Sequence, residues 1–376
     1  MKNIFKYLFF ASLFAGIATG CEKTEVLPFY KSGTAPSLSS STSTIAAIPA
    51  DSSKSIITFS WTNPAYAADS ATSKYVLQMD TTGGNFAKAT SRTVVGTTST
   101  SYTAKEINDI MLGYGFTHGK TYGVDVRVIS SYGNNNDQLA SNTIKLQVTP
   151  YKIPPKIPVP AELIIVGSAT IGDWSNPAPT AAQEVAQKFA LIDETTYAGI
   201  FYLNGGKQYL MLPETGKWDH KFGGTSKTGG ELLVDGAVPG SNTPAPDASG
   251  WYKIVVDFQT GFYTVTPVAN EVPMNLYGIG DATVAQWDNT AVGGQSIARK
   301  NSIWFEGDLP LSGGKNLKFI STLGQWQPQF GKGDSDGLLG ANYGGGSDPN
   351  TISIATDGTY KIKVDFLTNT YTVVKQ

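Results

Sequence analysis

The chain has 376 residues, too many for one ordinary domain and enough for two or three. Charged residues make up 15% and the formal net charge is -2, which excludes the basic patch a nucleic-acid partner needs. Two histidines, His118 and His220, and one cysteine leave His-based metal sites and Ser-His-Asp catalysis poorly supplied, so no cofactor and no metal are expected.

Lys2 and Lys6 open the chain, and an apolar run follows to about Ile17, ending at "ATGC". This is the pattern of a bacterial lipoprotein leader, which assigns residues 1–21 to a signal peptide and makes Cys21 the lipidated residue. Several acyl chains give stable anchoring where one does not, so the anchor implies membrane attachment with the rest of the chain tethered in water. Residues 22–44, rich in Ser, Thr and Ala, are expected to form a flexible tether.

Residues 45–150 alternate apolar and polar positions. Ile57, Phe59 and Trp61 share one face of "SIITFSW", and Tyr75, Leu77 and Met79 share one face of "KYVLQMD". Tyr122, Val124, Val126 and Val128 repeat the pattern, as do Ile144, Leu146 and Val148. These are half-buried strands of an Ig/FnIII-like sandwich, with Trp61 in its core. One helix is predicted inside "TAKEINDIMLGYGF". Thr103 is its N-cap, Glu106 completes a capping box, and Ile107, Ile110 and Met111 fall at helical spacing. The Pro-rich stretch 151–160 reads as a stiff linker.

The remainder contains one domain twice, over 161–268 and 274–376. "LIIVGSATIGDW" matches "LYGIGDATVAQW", and "NGGKQYLMLPETGKW" matches "SGGKNLKFISTLGQW" without a gap. "GWYKIVVDFQTGFYTV" matches "GTYKIKVDFLTNTYTV", each predicting two strands around a two-residue turn, at Thr260-Gly261 and Thr368-Asn369. The fold class is therefore all-β, with three tandem β-sandwich domains, the last two being repeats.

Each repeat carries two Trp residues among polar and turn residues: Trp174 and Trp218, then Trp287 and Trp326. Trp in such surroundings is expected to present a ring face, and two on one rim suit stacking against sugar rings. Lys207, Lys315 and Lys318, on the strand leading to the second Trp, are candidate donors to hydroxyls. Asn242 and Asn350, each ten residues before a strand Tyr, both donate and accept. Trp251 and Trp304 read as packing residues. Glycoside hydrolysis needs paired carboxylates. Asp173 and Asp219 are matched by Gln286 and Gln327, so no catalytic residue is expected. "GDSDG" at 333–337 reads as a turn.

Taken in order, the lipobox, "FSWTNP", "INDIMLGYGF", "VDVRVISSYG", "SNTIKLQVTPY", "DW", "KFISTLGQW" and "GTYKIKVDF" resemble SusE/SusF-family outer-membrane lipoproteins of Bacteroidetes starch-utilisation systems, closer to SusE. The resemblance covers nearly the whole chain. It implies a non-catalytic, surface-exposed protein whose Ig-like first domain binds no glycan and whose later sandwiches hold starch through paired aromatics, a basic residue and hydrogen-bonding side chains. Carried over, the second repeat supplies Trp287, Lys318 and Trp326 with Asn350. In the first, Leu210 stands where Lys318 does, leaving Lys207 or Lys221 as its basic group. A SusC-like TonB-dependent transporter and a SusD-like protein are implied partners. A non-starch polysaccharide, or a protein partner of a structural lipoprotein, remains the alternative ligand.

Overall fold

A computed structural model describes residues 31–66, 73–235, 242–290 and 295–376. Cys21 and the leader lie outside the described residues. The chain divides into two compact units, ending and beginning at Pro154 and Pro155. Among the described residues, no helix is long and apolar enough to cross a membrane.

The first unit is a two-sheet sandwich. One sheet joins Leu38–Ser40, Ser55–Trp61 and Ser99–Thr103; the other is built around Ser73–Thr81 and Tyr122–Tyr132. The predicted inward positions fill its core: Phe59, Leu77, Met79, Val124, Val126 and Val128 are at most 1% exposed, and Trp61 is buried with them. Helix α1 (Ala104–Gly113) starts as its capping box requires. The Thr103 hydroxyl accepts from Glu106 N–H, and Glu106 Oε2 accepts from Thr103 N–H at 2.8 Å. That backbone bond, helped by Arg92, holds the Glu106 carboxyl below its ordinary pKa.

The tether ends earlier than expected. Leu38–Ser40 pairs antiparallel with Phe59–Trp61, and Thr44–Ile45 runs parallel to Gln147–Val148. Backbone pairing tolerates Ser and Thr on the solvent face, and Leu38 and Ile45 each deliver one buried side chain to the core. The Pro-rich linker is likewise partly docked. Lys156 and Ile157 donate backbone N–H groups to Gln259 and Phe258, and Ile157 packs into the first repeat's core.

In the second unit the duplication is visible in strand register. Ile164 and Val166 face Leu212 and Leu210, while Tyr277 and Ile279 face Ile320 and Lys318. Met211 faces Phe222 as Phe319 faces Phe330. Among the described residues the first repeat forms two five-stranded sheets, and Ile164 makes an isolated bridge to Lys188, just before the edge strand Ala190–Leu191. In the second, Ser296–Arg299 pairs with both Leu276–Ile279 and Trp304–Leu311, so the nine strands among its described residues form one continuous folded sheet. The first repeat also contains a short helix, α2 (Ala181–Ala186), capped by Thr180, where only strands were expected.

The predicted two-residue hairpins are four-residue loops. Pairing ends at Asp257↔Phe262 and Asp365↔Thr370. The Asp257 carboxylate accepts from Gln259 N–H and Thr260, and Asp365 from Leu367 and Thr368 N–H. These side chains take the turn's backbone donors, and the next residues, Phe258 and Phe366, turn inward to close the core.

The repeats share buried contacts. Ala190 and Ile200 of the first pack into the second repeat's core with Val272, Leu276 and Ile303, and Ser302 N–H donates to the Lys188 carbonyl. Trp251 and Trp304 both pack against this cluster, as expected. The Arg299 guanidinium lies in the same region, bonded to the Asn301 carbonyl at 2.9 Å, and burial pushes its pKa down to about 10.

Candidate glycan-binding face

The same turn positions the first Trp of each repeat. Gly167 and Gly280 sit at φ 144 and 132, close over the backbone of the neighbouring strand. Their N–H groups donate to Asp173 and Gln286 carbonyls, and the Thr170 and Thr283 hydroxyls close back on the Gly carbonyls. Asp173 and Gln286 take left-handed φ values of 51 and 53 directly before Trp174 and Trp287, a sharp change of direction at the same point of both turns. The seven-residue Gly-to-Trp spacing is thus the length of this turn.

What lies beneath differs. In the first repeat the outer face is Ile164, Val166, Leu210 and Leu212, a small buried cluster on which Trp174 packs. In the second the same register supplies Tyr277, Ile279, Lys318 and Ile320. Trp287 is 40% exposed. Exchange of Leu210 for Lys318 turns an apolar seat for a ring into a polar one.

The second Trp of each pair follows a glycine at φ 81, Gly216 or Gly324. Gly324 N–H donates to the Asn289 carbonyl at 3.0 Å, tying the Trp326 loop to the Trp287 loop. In the first repeat the Asn176 side chain makes this tie, accepting from Gly216 N–H and donating to the Lys217 carbonyl. Trp326 is 45% exposed and Trp218 is 37% exposed. Among the described residues, neither these two rings nor Trp287 makes an aromatic contact.

Polar groups gather beside the second pair. Lys318 Nζ donates to Gln329 Oε1 at 3.1 Å. Asp348 Oδ1 accepts from Asn342 Nδ2 at 2.8 Å and, more loosely, from Gln327 Nε2. The Asn342 amide holds the Asp348 carboxyl below its ordinary pKa, with Gln329, Lys318 and Gln327 adding to the effect. Buried Asn342 also accepts from Gly344, Gly345 and Gly346 N–H, which shapes the loop carrying Asp348. Asn350 joins this group: its backbone bridges Lys332, and its carbonyl lies against Gly331 on the side where Pro349 and the Lys318 stem also pack. A Cβ at Gly331 would sit 2.4 Å from Asn350 O.

Not every candidate gathers here. Lys207 and Lys315 are exposed at the opposite end of their strands from the Trp218 and Trp326 loops. Asn242 stays beside that far end, donating to Gln208 Oε1 at 3.3 Å. Its structural counterpart is Thr351, which donates to Asn316 Oδ1, so the pairing of Asn242 with Asn350 is out of register by one residue. Lys221 of the first repeat occupies the Gln329 position, next to a His220–Asp235 pair at 3.1 Å. Sequence reading missed Gln329, Asn342 and Asp348, which come from separate strands and a Gly-rich loop. The run "NYGGGSD" was the available signal.

Residues 23–129 match the family model described as SusE outer membrane protein. No curated protein matches. Among solved structures, SusF from Bacteroides thetaiotaomicron is similar at 16% identity over 92% of this chain and 77% of that chain, with a TM-score of 0.31. The match over residues 23–129 supports the SusE/SusF resemblance and assigns the chain to the outer membrane.

Proposed function

We propose that this is a non-catalytic glycan-binding lipoprotein, anchored through Cys21, that holds starch or maltooligosaccharide at the cell surface by stacking on Trp287 and Trp326. The observation that carries the reading is the pair of half-exposed indoles on two bonded loops, with Lys318, Asp348 and Asn350 beside them. Indole faces match the apolar faces of pyranose rings, and an ammonium, a carboxylate and an amide together donate to and accept from ring hydroxyls. The first repeat offers Trp218 with Lys221 but keeps Trp174 packed, so it is the weaker site. Two sites on one chain raise avidity for a long polymer. A surface glycan-holder of this kind would work beside a SusC-like transporter and a SusD-like protein.

The test is affinity electrophoresis of the chain lacking residues 1–21 through gels containing starch, pullulan, dextran, xylan or mannan, with and without Trp287→Ala and Trp326→Ala combined. Starch retards the parent and not the double variant if the reading holds. Retardation by xylan or mannan alone changes the substrate, and none in any gel returns these rings to a structural or protein-binding role.

A further inference from the structure

Tyr202 and Trp251 are register partners on adjacent strands of the first repeat, with rings 5.7 Å apart at 76°. The duplicated positions, Pro310 and Thr359, pair in the same way without aromatics. These rings are therefore not copies of a core position that both repeats need. They face the junction with the second repeat, where Trp251 is partly packed while Tyr202 remains 45% exposed. With Ile171 and Asn204 they form one wall of an open cleft of about 500 Å³. Asn275 and Thr322 stand on the other wall, where Ser321 and Pro328 complete it.

Ser321, Thr322 and Pro328 are also the two ends of the loop that carries Trp326. The cleft thus borders the base of the loop that presents Trp326. Its lining has one charged residue, Glu271; the rest divides between amides, hydroxyls and aromatic rings on one hand and the apolar Ile171, Val272, Met274 and two prolines on the other. That chemistry suits a neutral polyhydroxylated chain.

We propose that the cleft between the repeats is an extension subsite, in which a sugar ring of the same glycan chain seated on Trp326 stacks on Tyr202 and hydrogen-bonds Asn204 and Asn275. The proposal rests on the glycan reading above and adds a dependence on chain length. Short oligosaccharides occupy the platform alone, and longer ones reach the cleft.

The test uses the full mature chain and a maltooligosaccharide series from maltose upward, with affinities measured by calorimetry for the parent, Tyr202→Ala, Asn204→Ala and Trp326→Ala. Met274, which lines the cleft, serves as a methyl NMR reporter. The parent gains affinity with length, and its Met274 methyl shifts only with the longer ligands. Tyr202→Ala removes that gain, weakening long ligands about three- to tenfold while leaving short ones unchanged. Asn204→Ala acts in the same direction, which separates loss of a contact from local misfolding. Trp326→Ala weakens every length. A Tyr202→Ala variant indistinguishable from the parent at every length, or a Met274 methyl unmoved by long ligands that bind, overturns the cleft and leaves the platform standing. A parent that binds no member of the series overturns both.

Discussion

Trp174 and Trp287 occupy the same position of the same turn, yet truncating them is expected to do opposite things. A Trp side chain presents about 200 Å². With Trp287 40% exposed, roughly 80 Å² is open to a ligand. At ~25 cal/mol per Å², covering all of it would contribute about 2 kcal/mol, a ceiling near 30-fold in affinity. A sugar ring that covers one face reaches about half of that, ~1 kcal/mol or about fivefold. Trp287→Ala should therefore weaken glycan binding by about five- to 30-fold. Trp174 instead packs on Ile164, Val166, Leu210 and Leu212. Trp174→Ala should cost about 2–3 kcal/mol of stability and leave the second repeat's binding unchanged. Calorimetric titration with maltooligosaccharide, run beside thermal unfolding, reads both effects. Equal loss of binding in the two variants, or a Trp287→Ala variant that binds as the parent does, would refute the argument that Lys318 against Leu210 decides which ring is available.

Lys318→Leu installs the first repeat's residue in the second. Binding should weaken by about 0.5–1.5 kcal/mol for the lost donor, with no fall in melting temperature. Because Asp348 is held below its ordinary pKa, its ionised arrangement is complete above the ordinary value of 3.8 and is lost only as pH falls through the lower folded value. Glycan affinity measured against pH should stay flat down to that ordinary value and drop below it, and Asp348→Asn should remove the drop. Gly331→Ala drives a Cβ into the Asn350 carbonyl, a backbone atom held by its bond to Lys332 N–H. It should lower stability by about 1–3 kcal/mol and weaken binding at the second repeat, as thermal unfolding and the same titration would read.

Much of this protein is fixed by patterns within a few residues of each other. Alternation gives the strands of the first sandwich, and Thr103 with Glu106 gives helix α1 because both capping partners lie within one turn. The duplication is legible because copied turns keep their glycines, and the observed registers reproduce the alignment over both Trp positions. Local pattern failed where a distant partner decides. Leu38 looks like part of a Ser/Thr-rich tether until Trp61 is set beside it. Asn242 and Asn350 appear equivalent until strand pairing moves the match to Thr351.

The candidate site follows the same division. Sequence alone determined that two Trp turns exist per repeat and that Leu210 and Lys318 occupy matching strand positions. Only tertiary structure decided that Leu210 belongs to the seat of Trp174 while Lys318 bonds Gln329, that Asn342 and Asp348 gather near by, and that Tyr202 and Trp251 open toward the neighbouring repeat. The reason is range: turn geometry is set by bonds between near neighbours, whereas exposure of a ring depends on residues brought under it by sheet pairing from far along the chain.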